Sequence, residues 1–224
     1  MKIPVIINNR DLLTWPKAMV ERIKKYDGVG EIWIVDNAST NLELLQWYDR
    51  LSGLDNINYI PILELSRNIG HTAPWDCGLV KKLNSPYYVV TDSDMGLEDT
   101  PDNTLLYLLE KEKEFKLGKV GLGLEWWRVP ENSPYYNHMK RYEIPRWNSS
   151  RMENGVALDV AVDTTFALYS RDHYFICGGS TGMPYTARHL PWELTKEQYE
   201  ENKEFKYYIE HASNSSSYKT FLGL

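Results

Sequence analysis

Short apolar runs alternate with amphipathic stretches through the first half of the chain. The apolar runs predict strands, and they cover residues 3–7, 31–36, 57–63 and 87–91. The amphipathic stretches predict helices, and they cover residues 14–26, 41–51, 72–83 and 103–116. Strands that alternate with helices are typical of a mostly parallel sheet with helices on both faces. Pro61 lacks an amide donor, so the third strand is expected near a sheet edge.

The second half of the chain has a less regular pattern. Residues 120–125 and 156–169 predict strands, residues 177–183 are rich in glycine, and residues 195–211 predict a polar helix. Between them, residues 126–155 are rich in Pro, Tyr, Asn and Ser and are expected to be irregular. The pattern contains no internal repeat and no linker. We therefore expect one domain over residues 1–224, with residues 1–100 and 101–224 as its two halves.

Polar residues follow each predicted strand of the first half. They are Asn8-Asn9-Arg10, Asp36-Asn37-Ala38-Ser39, Ser66-Arg67-Asn68 and Asp92-Ser93-Asp94. Sheets of this class bind ligands at the carboxyl ends of their strands. The four sets are therefore expected to form the rim of one site.

Composition and charge narrow the class of protein. Hydrophobic residues make up 42% of the chain and charged residues 25%, which is typical of a globular protein. The net charge of −6 lacks the basic excess that a duplex-binding protein needs, so we expect no nucleic-acid partner. A small anionic ligand stays compatible with this charge, because a local cation can hold it.

Cysteine spacing and hydropathy bear on the compartment. Cys77 and Cys177 lie far apart without CxxC spacing, which suits a reduced cytoplasm. The beginning of the chain becomes polar too soon for a signal peptide. No apolar run approaches the ~18 residues that span a bilayer. We expect a cytoplasmic protein without an integral membrane segment, peripheral at a membrane at most.

Aromatic residues are abundant at 13% of the chain, and many fall in the irregular stretch. Those considered as acceptor contacts are Trp126, Trp127, Tyr135, Tyr136 and Trp147. Exposed aromatic faces can stack on sugar rings. Tyr and Trp also fill cores and interfaces in any fold, so plain packing stays open as the alternative.

The tripeptide Asp92-Ser93-Asp94 directly follows the fourth predicted strand. Two carboxylates one residue apart at a turn can converge on one divalent cation, and oxygen ligands suit Mg²⁺ or Mn²⁺. A solvated Asp-Ser-Asp turn is the alternative. The tripeptide alone does not decide between them.

Four stretches together resemble family 2 glycosyltransferases, which have the GT-A fold. They are IPVIINNRDLLTWPKAMVERI, EIWIVDNAST, SRNIGHTAPWDCGL and YYVVTDSDMGL, in that order and at about the expected spacing. The resemblance covers about residues 3–100 and is partial beyond them. It implies a Rossmann-like, mostly parallel central sheet flanked by helices, with an irregular acceptor-side C-terminal part.

The resemblance also implies roles for individual residues. Those implied to line the nucleotide, ribose and diphosphate pocket are Asn8, Asn9, Arg10, Asp36, Arg67, Asn68 and Asp92. Within this set, Asp36 is implied to accept a hydrogen bond from the base. Capping of its own turn is the alternative, because Asp-Asn-Ala-Ser is good turn chemistry. Asp94 is implied to bind the cation directly, with Asp92 facing the ribose or a metal-bound water.

A second resemblance lies downstream, at Ala187-Arg188-His189-Leu190-Pro191-Trp192. It is similar to the late His and Pro-Trp element of several GT-A enzymes. It implies that His189 completes the metal shell and that Arg188 meets a phosphate oxygen. Histidine beside carboxylates is reasonable chemistry for Mn²⁺. A loop histidine held by the backbone is the alternative.

The catalytic base is expected to be Asp163, the lone acid of an apolar stretch. An apolar setting favours the protonated form of a carboxyl group and so tunes it toward proton transfer. A structural acid paired with Arg171 or Arg151 is the alternative, and Asp159 and Glu125 are reserve candidates. The pair Glu98-Asp99 lies too near the metal motif.

These observations favour a metal-assisted glycosyltransferase. The expected reaction moves a sugar from a UDP- or GDP-linked donor to a glycan or small hydroxyl acceptor with Mn²⁺ or Mg²⁺. Inversion is the family expectation, while the residues leave the stereochemical outcome open. A nucleotidyltransferase of similar fold would need glycine in the loop after the first strand, and residues 8–11 contain none. A non-catalytic carbohydrate-binding protein is the other alternative.

Overall fold

A mixed β-sheet runs through the part of the chain that the computed structural model describes, which is residues 1–52, 60–149, 151–162, 165–173, 178–212 and 217–223. Its strands are β1 (Ile3–Asn9), β2 (Val29–Asp36), β3 (Ile62–Glu64), β4 (Tyr87–Asp92), β5 (Met95–Gly96), β6 (Lys119–Leu124), β7 (Arg151–Glu153), β8 (Val156–Val160), β9 (Ala167–Ser170) and β10 (Gly178–His189). They lie in the order β3-β2-β1-β4-β9-β6-β10-β8-β7, and β5 pairs with β10.

The first half of the sheet is parallel, as its alternating pattern predicts. β1 lies between β2 and β4 and runs parallel to both, and β3 runs parallel to β2 at the edge. The edge position expected from Pro61 is therefore confirmed. β3 begins at Ile62, later than predicted, and residues 57–59 of the predicted strand lie outside the described residues.

The second half departs from simple alternation. β9 runs antiparallel between β4 and β6, which leaves β6 and β10 parallel to β4. The predicted strand over residues 156–169 is two strands, β8 and β9, on either side of β6 and β10 in the sheet. β8 and β9 are neighbours in sequence but not in the sheet, because strand order depends on pairing between distant residues, which hydrophobic patterning does not encode.

The helices largely follow the predicted amphipathic stretches. They are α1 (Thr14–Ile23), α2 (Leu42–Ser52), α3 (Ala73–Asp76), α4 (Leu79–Lys82), α5 (Thr104–Phe115), α6 (Tyr136–Ser149), α7 (Lys196–Glu201), α8 (Lys203–His211) and α9 (Ser217–Leu222). The predicted helix over 72–83 is divided at Gly78, whose φ of 79° is left-handed. The one over 195–211 is divided at Asn202, which ends α7 and caps α8.

The stretch over residues 126–155 contains α6, which the sequence prediction missed. Pro145 lies inside this helix, and proline normally interrupts helices because it removes an amide donor. A short 3₁₀ helix, Trp126–Arg128, precedes it. The expectation of a wholly irregular stretch is therefore wrong.

The two faces of the sheet bury separate apolar clusters. Val5 and Ile7 of β1 face the cluster formed with α1, α2 and α5, whereas Ile6 faces the cluster formed with α3 and α4. Helices on both faces are therefore confirmed. On α2, Leu42 is 73% exposed, and Leu44 takes the buried position.

A third apolar cluster joins α7, α8 and α9 to Leu12 and Tyr135. Glu204 of α8 also binds the start of α1, where its carboxylate accepts from the amides of Leu13 and Thr14 at 2.8 and 2.9 Å. Leu13 is the N-terminal cap residue of α1, and since its own side chain cannot accept a hydrogen bond, Glu204 supplies the acceptor. The C-terminal helices therefore pack against the chain that follows β1.

None of the helices in the described ranges is long and apolar enough to cross a membrane.

Candidate functional site

The carboxyl ends of β1, β2 and β4 lie side by side and bring polar residues to one edge of the sheet. Asn9 pairs with Asp36 across β1 and β2, and Asn8 pairs with Asp92 across β1 and β4. The end of β10 joins this rim, because His189 pairs with Met95 of β5. The downstream histidine therefore lies beside the Asp92-Ser93-Asp94 turn.

Asp94 is 6% exposed and is held at both its side chain and its backbone. Its Oδ2 accepts a hydrogen bond of 2.6 Å from the Tyr218 hydroxyl, and its carbonyl accepts one of 3.0 Å from the Leu190 amide. Within the described part of the chain, its buried Oδ1 has no hydrogen-bond partner. Buried polar atoms are nearly always paired, so an unpaired carboxylate oxygen calls for an explanation.

His189 lies on the other side of the same hydroxyl. Its Nε2 is 3.4 Å from the Tyr218 oxygen, a long contact, and its ring stacks on Trp192 with 4.3 Å between centroids. Tyr218 gives its one proton to Asp94, so a hydrogen bond between this hydroxyl and the ring requires the Nε2–H tautomer, in which Nδ1 carries a lone pair. Nδ1 is also buried and unpaired among the described residues.

The tyrosines around Asp94 stay protonated. Burial, followed by the charge of Asp94, raises the pKa of Tyr218 well above its ordinary value. Burial and the charges of Asp94 and Asp92 also raise the pKa of Tyr208. Tyr218 therefore meets Asp94 as a neutral hydrogen-bond donor.

These residues fit a divalent cation whose shell is shared with a ligand. No group of three or more His, Cys, Asp or Glu side chains in the described ranges is arranged to hold a metal on its own. Asp94 and His189 nevertheless each leave one acceptor atom unpaired and buried. Mg²⁺-type sites commonly take one or two protein carboxylates and complete their shell with substrate phosphates.

The predicted nucleotide-pocket residues at the end of β1 and directly after it, Asn8, Asn9 and Arg10, mainly form hydrogen bonds to neighbouring loops. The side-chain amide of Asn9 donates a hydrogen bond of 2.8 Å to the Leu12 carbonyl and one of 2.7 Å to the Tyr48 hydroxyl. Arg10 donates to the carbonyls of Asn37, Ala38 and His211. The amide of Asn8 donates 3.4 Å to the Gly70 carbonyl.

Asp36 caps the turn that follows β2. Its Oδ2 accepts 3.0 Å from the Ser39 amide, and its Oδ1 accepts from the hydroxyls of Ser39 and, at 3.3 Å, Tyr48. Burial raises its pKa, against the hydrogen bonds from Ser39 and Tyr48. This is the turn-capping arrangement that the sequence left open, and a contact with a base stays a prediction.

The remaining predicted ligands lie in different surroundings. Arg67 is exposed, while Asn68 accepts a hydrogen bond of 2.9 Å from the Gly70 amide. Arg188 forms a fork with the carboxylate of Glu193 and also pairs with Glu98. The bonds to Glu193, more than those to Glu98, raise the pKa of Arg188. Its contact with a phosphate also stays a prediction.

The expected base, Asp163, lies outside the described residues. Of the reserves, Asp159 is exposed, whereas Glu125 is buried at the end of β6. Glu125 accepts 2.9 Å from the Thr186 hydroxyl and pairs with Arg128. Since β6 runs parallel to β4, Glu125 lies at the same edge of the sheet as the Asp92-Ser93-Asp94 turn.

Solved structures of known proteins have a fold similar to that of this chain. No protein-family model and no curated protein matches the chain. A solved mannosyltransferase from Pyrobaculum calidifontis, in complex with GDP-Man and Mn²⁺, aligns over 99% of this chain and 68% of its own, with 12% identity and a TM-score of 0.55. The chain has the GT-A fold.

Two further solved structures are similar over part of the GT-A chain. Glucosyl-3-phosphoglycerate synthase from Mycobacterium tuberculosis aligns over 76% of this chain and 57% of its own, with 14% identity and a TM-score of 0.47. S. aureus TarS 1-349 in complex with UDP aligns over 56% and 36%, with 18% identity and a TM-score of 0.41. The chain thus spans about a third of that TarS structure.

Three polar residues at this edge of the sheet were not among the predicted site residues. Asp11, buried after β1, accepts hydrogen bonds from the amides of Thr40 and Asn41 and so holds the start of α2. Tyr48 and Tyr218 bind Asp36 and Asp94. An acid after the first strand was a visible signal for Asp11, but nothing in the local pattern distinguishes Tyr218 from other tyrosines.

The aromatic residues divide between surface and core. Trp127 is 44% exposed and contacts Trp126 and Trp147 edge-on, with centroids 5.9 and 6.0 Å apart. Tyr135 is instead buried in the third cluster, so the packing alternative applies to it. Trp127 is the member of the set best exposed for stacking on a sugar.

Proposed function

We propose that this GT-A chain is a glycosyltransferase that uses a nucleoside diphosphate sugar and a divalent cation. One observation carries the proposal: Asp94 and His189 meet at the carboxyl edge of the sheet, and each has a buried, unpaired acceptor atom. Two unpaired buried atoms, on residues that contact the same Tyr218 hydroxyl, favour a bound cation over a structural hydrogen-bond network.

Asp94 and His189 would hold the cation, with Asp92 next to them at the end of β4. When bound, a divalent cation neutralises the charge that develops on a departing diphosphate. The two protein ligands leave coordination positions for diphosphate oxygens. A nucleoside diphosphate therefore suits this site better than a neutral ligand.

The rim beside the cation site would hold the nucleotide. Asn8, Asn9 and Arg10 border it from β1, and Asp36, Arg67 and Asn68 from the neighbouring loops, with Arg188 toward the diphosphate. GDP-Man in the P. calidifontis mannosyltransferase makes a GDP-linked donor the first candidate, with UDP-linked donors second.

Transfer forms a bond between the acceptor hydroxyl oxygen and the anomeric carbon, and it breaks the bond from that carbon to the diphosphate. The hydroxyl proton would pass to Asp163, with Glu125 as the reserve base, and the nucleoside diphosphate would leave. Inversion follows from this single displacement. The acceptor is proposed to be a glycan or small hydroxyl compound that stacks on Trp127. The cytoplasm stays the expected compartment of the protein.

Thermal shift and donor hydrolysis test the proposal. The melting temperature of the wild type should rise with Mn²⁺ plus GDP or UDP, since a ligand that binds the folded state stabilises it. Mn²⁺ with GDP-mannose or UDP-sugars should release nucleoside diphosphate. Asp94→Asn should lose both effects, while Asp49→Asn, an exposed acid on α2, should keep them.

The other outcomes separate the alternatives. Stabilisation by CTP or another nucleoside triphosphate, with release of pyrophosphate, would identify a nucleotidyltransferase. Stabilisation by sugars with no response to nucleotide or cation would identify a binding module. Equal cation and nucleotide responses in Asp94→Asn and wild type would disprove the metal role of Asp94.

A further inference from the structure

The hydroxyl of Tyr218 contacts both candidate cation ligands. It donates 2.6 Å to Asp94 Oδ2 and lies 3.4 Å from His189 Nε2. Each ligand residue keeps its other polar atom buried and unpaired within the described ranges: Oδ1 of Asp94 and Nδ1 of His189. The hydroxyl therefore takes one atom of each residue and leaves the other for a ligand.

This division matches how proteins orient metal ligands. A ligating histidine usually donates its second ring N–H to a neighbouring acceptor, which sets the tautomer and turns the ring. Here the Tyr218 oxygen lies 3.4 Å from Nε2, where such an acceptor is needed, and Trp192 stacks on the ring and restricts its plane. The same hydroxyl gives its proton to Asp94 and so orients the carboxylate.

Tyr218 is rigid enough for this task. The residue is 9% exposed, and its ring meets Tyr135 and Phe205 edge-on at centroid distances of 5.7 and 5.4 Å. Phe221 on the same helix packs on Tyr135, and Lys219 donates 2.8 Å to the Ala212 carbonyl. A side chain packed in this way presents its hydroxyl in one place.

We propose that Tyr218 is the positioning residue of the cation site. Its hydroxyl sets the Nε2–H tautomer of His189 and the orientation of Asp94, so that Nδ1 and Oδ1 bind the divalent cation. The inference rests on the proposed function, since it assigns a residue to the same site. It gives α9 a role in cation affinity through the hydroxyl of Tyr218.

A competing arrangement makes the opposite prediction. If the Tyr218 hydroxyl occupied the position of the cation, metal binding would have to displace it. Removing the hydroxyl would then strengthen cation binding. The sign of the change in affinity therefore distinguishes a positioning residue from a blocking one.

Tyr218→Phe is the decisive variant, because it keeps the ring contacts and removes only the hydroxyl. We expect its Mn²⁺ dissociation constant, measured by electron paramagnetic resonance without nucleotide, to rise about tenfold or more. Tyr207→Phe is the matched control: it removes a hydroxyl of α8 that lies 3.0 Å from the Thr40 hydroxyl, and it should bind Mn²⁺ like the wild type. Unchanged or tighter binding by Tyr218→Phe would overturn the inference.

The tautomer of His189 gives a readout that packing alone would not change. ¹⁵N NMR of histidine-labelled, cation-free protein, assigned with His189→Gln, should show neutral His189 protonated at Nε2 in the wild type. Tyr218→Phe should shift it toward a mixture of tautomers. An Nδ1–H tautomer in the wild type would overturn the inference even if the variant did not fold.

The result also separates the two proposals. Mn²⁺ binding that Asp94→Asn abolishes and Tyr218→Phe leaves unchanged would overturn only the role of Tyr218. Absence of Mn²⁺ binding by the wild type would overturn both.

Discussion

The amide of Leu190 donates a hydrogen bond of 3.0 Å to the carbonyl oxygen of Asp94. This bond continues the antiparallel pairing of β5 with β10, in which His189 lies opposite Met95. It joins two stretches that the sequence could connect only by resemblance. The pairing brings an imidazole to the Asp92-Ser93-Asp94 turn through backbone contacts.

His189→Ala should weaken Mn²⁺ binding by about tenfold or more, since loss of a ligand costs at least as much as loss of its orienting partner. Titration of Mn²⁺ followed by electron paramagnetic resonance measures the change. His211→Ala, at the exposed end of α8, is the control and should bind like the wild type. Equal affinities in the two variants would remove His189 from the cation site.

Glu204→Ala should lower the free energy of unfolding by about 1–2 kcal/mol, because it removes the acceptor for the first amides of α1. The loss also detaches α8 from Thr14, whose hydroxyl donates 2.6 Å to the same carboxylate. Urea unfolding measures it. Glu210→Ala, an exposed position on the same helix, should change stability little, and an equal loss there would contradict the capping role.

Tyr26 should make stability fall at high pH. Burial raises the pKa of Tyr26 from 10.0 to about 12 in the folded protein. As the pH rises past 10, Tyr26 therefore ionises in the unfolded chain before it ionises in the folded one, and this lowers the free energy of unfolding. The free-energy difference between wild type and Tyr26→Phe should therefore shrink by about 1.4 kcal/mol from pH 8 to pH 11. Urea unfolding at the two pH values checks this. A difference that is the same at both would show that the pKa of Tyr26 does not change on folding.

Trp127→Ala should reduce acceptor recognition without affecting the donor. Stacking on an exposed indole contributes to sugar binding, and the rings that Trp127 contacts edge-on, Trp126 and Trp147, are not among the proposed donor residues. Retention on a glycan array should fall, while the thermal shift with Mn²⁺ and GDP stays constant. Leu106→Ala, an exposed apolar position on α5, is the control. Unchanged retention would exclude Trp127 from the acceptor site.

Local patterning accounts for most of the first half of the fold. The alternation of apolar runs and amphipathic stretches predicts β1, β2 and β4 and the helices between them, because strand and helix periods are properties of neighbouring residues. The same reasoning failed at α6, a helix with Pro145 in its interior, and at residues 156–169, which form two separate strands. These errors arise where packing outweighs local preference.

Sequence determined that carboxylates follow the fourth strand and that a histidine lies far downstream. The tertiary structure decided that His189 and Asp94 meet, that Asp36 caps its own turn, and that Tyr218 bonds to Asp94 across 124 positions of chain. Hydrogen bonds between distant residues depend on strand order and helix packing. Those are set by burial of the whole chain, and no local spacing encodes them.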